Sequence, residues 1–286
     1  MSNFQAPNRI EFSVVIPSYN RAQLLQRALD SILEQLYRPR EIIVIDDGSS
    51  DETARMLREH YPAIRYRYQR HAGVSAARNH GIRLAGSRWI ALLDSDDTWT
   101  RDKLHAQAAA IHANSEVRVV HTNEIWMRNG ARLAQKAHHR KYGGWIFGRC
   151  LPRCIISPSS AVIRRDVFDD IGMFDESLKA CEDYDLWLRI CAGEPVLFVD
   201  RPLVVKYGGH ADQLSRRTNA LDRYRIKALL KLLQTRTLTD EQRTLTATTL
   251  RQKIQIYTTG AKKRGKFAEA SKYDAIEMNL ANADIN

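Results

Sequence analysis

Short apolar runs, three of them stopped by a polar cluster and all separated by helical segments, constrain this 286-residue chain more than any other feature. Residues 11–16 are rich in β-branched side chains and end at Pro17. Ile42–Ile45, Ile64–Tyr68 and Trp89–Leu93 also have strand character. Between the first two, Leu24, Leu25, Ala28, Leu29, Ile32, Leu33 and Leu36 recur at helical spacing, with Asn20 placed to cap them and Pro39 closing the segment. Helices are also expected over Asp51–His60 and Val74–Ala85. Nearly continuous apolar strands alternating with helices predict a parallel α/β sheet covered on both faces. Such sheets bind ligands beyond the carboxyl ends of their strands. Pro17–Asn20, Asp46–Ser49 and Asp94–Asp97 all fall there, which predicts one shared site.

Further along, the pattern predicts a helix over Arg101–Ala113, a strand over Val117–Thr122, and a hairpin or loop in residues 128–155. A strand over Ser157–Ile163, helices over 166–171 and Glu182–Cys191, and closing strands at Val196–Val199 and Leu203–Lys206 follow. From Ala220 the chain reads as helical, broken at Gly260 and Gly265. The expected division is a sheet domain of residues 1–210, with halves 10–122 and 123–210, and a helical extension of residues 211–286.

With 44% hydrophobic and 27% charged residues, wholesale disorder is excluded. The net charge of +11 favours anionic partners. From Arg201 onward there are 17 Lys and Arg against 8 Asp and Glu, so most of the excess lies in the extension. The four cysteines form no CxxC pair, which argues against zinc and for buried thiols in a reducing compartment. No leader pattern and no run of about 20 apolar residues is legible, so a cytoplasmic location is expected.

Carboxylates crowded on a tight turn, as in Asp94-Ser95-Asp96-Asp97, raise one another's pKa unless a cation neutralises them. Their hard oxygens suit Mg²⁺ or Mn²⁺; a helix-capping turn is the structural alternative. Asp47 can accept a hydrogen bond from a base or ribose, Gly48 permits a sharp turn, and Tyr19 can stack on a base. Glu182-Asp183-Tyr184-Asp185-Leu186-Trp187 opens a helix on which Asp183, Trp187 and Ile190 share a face. A carboxylate among apolar groups is suited to general-base work, although acids are common in any first helical turn.

In order, Val14–Asn20, Ile45–Asp51, Gly73–Asn79, Leu93–Asp97 and Glu182–Trp187 resemble the motifs of the family 2 glycosyltransferases, inverting enzymes of the GT-A fold. The resemblance covers about residues 10–210. It implies a Rossmann-like, mostly parallel sheet, with the nucleotide sugar held by residues 10–122 and the acceptor by 123–210. It further implies that Tyr19 stacks on the base beside the Pro17 backbone and that Asp47 hydrogen-bonds the base. Arg78 would lie near the phosphates, Asp94 at the ribose or metal shell, Asp96 on Mg²⁺ or Mn²⁺, and Asp183 would be the catalytic base. His210 is a further metal candidate, against the simpler reading of an exposed histidine.

The expected function is therefore metal-dependent sugar transfer from a nucleotide-diphosphate donor to a saccharide or lipid-linked hydroxyl acceptor, in surface polysaccharide or lipid-linked glycan synthesis. Nucleotidyl transfer on a related sheet, or a non-catalytic nucleotide- or nucleic-acid-binding protein, are the alternatives. Neither a Gly-rich phosphate loop nor a recognisable nucleic-acid motif is present, and nucleic acid is not the expected partner. The basic extension reads as helices packed by their apolar faces, leaving the outer face for contact with an anionic membrane.

Overall fold

The computed structural model describes residues 9–135, 139–209, 221–235 and 238–283. They form two compact units. The first takes its residues from 1–145, 156–176 and 194–210 and contains the sheet. Its strands are β1 (Phe12–Ser18), β2 (Glu41–Asp46), β3 (Arg65–Tyr68), β4 (Trp89–Leu92), β5 (Thr98–Trp99), β6 (Val119–Arg128), β7 (Ala131–Leu133), β8 (Val162–Arg164) and β9 (Leu197–Gly208). Its helices are α1 (Ala22–Leu33), α2 (Thr53–His60), α3 (Val74–Leu84), α4 (Lys103–Ala113) and α6 (Arg165–Ile171). The sheet order is β3-β2-β1-β4-β8-β6-β9-β5, with β7 paired to β6.

Strand β1 is buried throughout because it has a parallel neighbour on each side, Val15 standing opposite Ile43 of β2 and Leu92 of β4. On one face, Phe12, Val14 and Ile16 join Leu25, Leu29 and Ile32 of α1 in the main core. Helix α3 covers the other face at close range. A Cβ at Gly81 would stand 2.3 Å from Val15 Cγ1 and 3.3 Å from Ile45 Cγ1. Both neighbours are stiff, branched core side chains that have little room to move. Gly81→Val should therefore cost roughly 2–3 kcal/mol by overpacking, read as a lower urea midpoint with an unchanged slope.

The parallel half, β3-β2-β1-β4, follows the sequence pattern. Beyond it the sheet is mixed: β8 is antiparallel to both β4 and β6, β6 is parallel to β9, and β9 is antiparallel to β5. Two local expectations are corrected. The two strands expected at Val196–Val199 and Leu203–Lys206 are merged in one, β9, which starts at Leu197 and runs past the irregularity opposite Thr122–Glu124 of β6. Within Ser157–Ile163, Pro158–Ser160 form a 3₁₀ turn and only the end is strand. The expected hairpin in residues 128–155 is present as β6–β7, and a short helix, Phe147–Cys150, follows later in the segment.

The second unit takes its residues from 146–155, 177–193 and 211–286. It contains α5 (Phe147–Cys150), α7 (Glu182–Gly193), α8 (Asp222–Leu233), α9 (Asp240–Lys263) and α10 (Phe267–Ala283). A reciprocal capping box opens α9: Thr239 Oγ1 accepts from Gln242 N, and Gln242 Oε1 accepts from Thr239 N at 3.0 Å. Gly260 lies inside α9 rather than breaking it, whereas Gly265, at φ +72°, does end it. Among the described residues no disulfide forms, and no helix is long and apolar enough to cross a membrane.

Candidate functional site

Because β1, β2 and β4 are parallel, their carboxyl ends lie along one edge and bring the three polar clusters together. Pro17 is within β1 opposite Ile45, and the Asp47 amide donates to Ser18 O at 2.8 Å. Tyr19 is 43% exposed, its ring stacked on His71 with centroids 4.2 Å apart. Asn20 does not cap α1. Its left-handed φ of 51° turns it toward the neighbouring loop, where Oδ1 accepts from Ser50 N at 2.8 Å. Asp51 serves α1 instead, accepting from Ala22 N at 3.0 Å.

The Asp47 carboxylate is buried and accepts from Gln69 Nε2 at 2.7 Å, Ala72 N at 2.9 Å and Gly73 N at 2.8 Å. It thus pins the loop that starts α3. Gly48 is required beside it: φ is +88°, and a Cβ there would stand 2.9 Å from His71 N. With its start fixed in this way, α3 directs Arg78 to the third cluster, where Nη2 donates to Asp94 Oδ1 at 2.7 Å.

The acidic turn is held by cations from three elements. Arg21 Nη1 donates to Asp96 Oδ2 at 3.0 Å, and Arg27 Nη2 reaches the Asp96 carbonyl at 3.3 Å. Asp97 is buried and accepts from Ser159 Oγ at 2.6 Å and from Lys206 Nζ of β9 at 2.7 Å. It caps no helix. The expected mutual repulsion operates on Asp97, where burial and the Asp96 and Asp94 charges prevail over Lys206 and push the carboxyl up to about 7. At Asp94, burial acts in the same direction, but Arg78, Lys206 and Arg21 outweigh it and hold the carboxyl below its usual value.

Sequence reasoning missed Arg21, His71, Glu124, Lys141 and Lys206. Glu124 and Lys141 form a buried ion pair at 3.2 Å, each side chain 4% exposed. Glu124 also accepts from Trp126 Nε1 and Ser157 Oγ, both at 2.7 Å. Burial opposes its charge, but Lys141 and Lys206 hold it down at about 2. The available signal was an acid inside the apolar β6 strand, which signifies a paired charge wherever the strand is buried.

His121 of β6 lies in the same region, fully buried, with Nε2 2.8 Å from Tyr142 O. Burial, reinforced by Lys141, lowers its pKa to about 3. The unfolded chain takes up this proton below about 6.5, whereas the native state does so only near 3. Stability is therefore lost as pH falls through that window, at up to ~1.4 kcal/mol per pH unit. Protonation of Glu124 in the unfolded state adds to the loss between 4.5 and about 2. His121→Gln, which retains a donor for Tyr142, should remove roughly 2 kcal/mol of the loss between pH 7 and 5, measured by urea unfolding at both values.

In the second unit, Asp183 opens α7, half-buried. Its Oδ1 accepts from Tyr184 N at 2.7 Å, and Cys154 Sγ lies 3.3 Å from Oδ2. Trp187 and Ile190, on the same helix, are buried. Cys181 precedes α7 at φ +59°, a strained conformation for a residue with a side chain. His210 lies outside the described residues.

The family model described as glycosyl transferase family 2 matches residues 13–172. An uncharacterized glycosyltransferase of Rickettsia conorii, RC0461, is 29% identical over 201 residues, 70% of this chain and 33% of that protein. The chain thus spans about a third of that relative's length. The Escherichia coli UDP-Glc:α-D-GlcNAc-diphosphoundecaprenol β-1,3-glucosyltransferase WfgD is 30% identical over 180 residues, 62% of this chain and 68% of that one. The crystal structure of S. aureus TarS 1–349 in complex with UDP-GlcNAc superposes with a TM-score of 0.72 at 18% identity, covering 91% of this chain and 79% of that chain. That likeness establishes the GT-A fold.

Proposed function

The chain belongs to glycosyl transferase family 2, and from that premise we propose that it moves a sugar from a nucleotide-diphosphate donor to a hydroxyl acceptor, with inversion at the anomeric carbon. One observation carries the reading: Asp94 and Asp96 share a turn and are met by Arg78 and Arg21, at the same strand edge as exposed Tyr19 and buried Asp47. Carboxylates for a cation and guanidinium groups for phosphate are the charges that a nucleotide diphosphate requires.

In this reading Tyr19, backed by His71, offers its ring to the base beside the Pro17 backbone. A base N–H shares the Asp47 carboxylate with the donors that already fill it. Arg78 exchanges part of its contact with Asp94 for the diphosphate. Asp94 and Asp96 would hold Mg²⁺ or Mn²⁺, with His210 as a further candidate. The donor set fits: both ligands are hard oxygens, and Asp94 is kept ionised by its cations. Such an ion, when bound, neutralises charge developing on the leaving diphosphate. Asp183 takes the proton of the acceptor hydroxyl as that oxygen attacks the anomeric carbon from the face opposite the diphosphate.

WfgD uses UDP-Glc and a lipid-linked diphosphate acceptor. This supports a saccharide or lipid-linked acceptor here, in surface polysaccharide or lipid-linked glycan synthesis; we propose a cytoplasmic location for the enzyme. Thermal shift with UDP- and GDP-sugars tests the donor assignment. A donor at ~100 times its Kd should stabilise the protein by about 2.7 kcal/mol, and chelating the divalent ion should reduce that gain. No shift with any nucleotide sugar, with or without Mn²⁺, would contradict the proposal.

A further inference from the structure

Most cations of α8 and the body of α9 are engaged within the second unit. Arg225 donates to Asp222 at 3.0 Å, Lys231 stands 3.0 Å from Asp185, and Lys227 meets Ser177 Oγ at 3.1 Å. Lys253 lies 3.6 Å from Asp222. The turn between α9 and α10 differs: Lys262, Lys263, Arg264, Gly265, Lys266 and Phe267 are exposed without interruption, Phe267 at 65%. On α9, Gln252, Ile256, Thr259 and Lys263 are all exposed, and their spacing puts them on one face leading to the turn. Ile256 on that face is 61% exposed. Two acids answer the cations, Asp274 at 2.9 Å from Lys262 and Glu269 at 3.8 Å from Lys266. The turn remains net positive, with large apolar groups left in water beside its charges.

We propose that this turn docks the protein on an anionic lipid surface, with Phe267 entering the interface and the lysines and arginine meeting headgroup charge. An aromatic ring among cations matches the two layers of a bilayer surface, apolar chains beneath and negative headgroups above. Exposed Ile256 favours a bilayer over a polyanion, because an aliphatic side chain gains nothing against a phosphate backbone. The inference stands on the second unit alone and is independent of the transfer reading.

Flotation of the full chain with vesicles tests it. Binding is expected with phosphatidylglycerol mixed into phosphatidylcholine, not with phosphatidylcholine alone, and should weaken as salt is raised. Lys263→Ser should weaken binding about fivefold. Phe267→Ala should weaken it roughly tenfold or more. Both positions are exposed, so thermal melting of each variant should match that of the unaltered protein. No binding to anionic vesicles, equal binding to neutral ones, or binding indifferent to Phe267→Ala would each overturn the proposal. So would tighter, salt-sensitive retention on RNA that survives Phe267→Ala, since it would assign the charge to nucleic acid.

Discussion

Asp183→Asn should lower transfer by a factor of ~10²–10⁴ while leaving donor affinity unchanged. The carboxamide has the shape of the carboxylate, and its oxygen can still accept from Tyr184 N, the bond that anchors Oδ1 in the first turn of α7. What it lacks is a basic oxygen to receive the acceptor's proton. The loss therefore belongs in kcat, because the donor is bound whether or not a base is present. Calorimetric titration with the donor separates the outcomes: unchanged Kd with lost turnover supports the base, whereas lost donor binding would remove Asp183 from that role.

Asp96→Ala should instead impair donor binding and turnover together. It removes one of two carboxylates proposed for the ion and frees Arg21 from its 3.0 Å contact. Donor affinity in the presence of Mn²⁺ is expected to fall at least tenfold and turnover by ~10² or more, the scale of a lost Lewis acid. Chelation, which weakens donor binding to the unaltered enzyme, should have little further effect on the variant. Asp96 is on a partly exposed turn, so folding should be preserved and circular dichroism unchanged. Equal donor affinity in both proteins would show that the acidic turn serves another purpose.

The two variants examine residues that the sequence exposes for different reasons. Strand ends such as Asp46–Ser49 and Asp94–Asp97 were legible because a polar cluster that stops an apolar run is a local signal. Lys206 and Glu124 were not, because each is a single charge in a strand and becomes informative only through burial beside a partner from elsewhere in the chain. Asp200-Arg201-Pro202 separates the two expected closing strands. Pairing with β6 instead carries β9 through it, Asp200 accepting from Asn123 Nδ2 at 3.0 Å, where the register shifts. Pro158 reads as part of a strand, yet its fixed φ starts a 3₁₀ turn whose Ser159 supports Asp97. Gly260 reads as a break, but tertiary packing by Ile254, Tyr257 and Ala261 sustains α9 through it.

Phosphorus NMR of a nucleotide sugar incubated with the enzyme and Mn²⁺ tests the central claim most directly, because even slow transfer to water reports which bond breaks. The account predicts that nucleoside diphosphate and free sugar accumulate, and that Asp183→Asn and Asp96→Ala both suppress them. Nucleoside monophosphate with sugar phosphate would place cleavage within the diphosphate and contradict it.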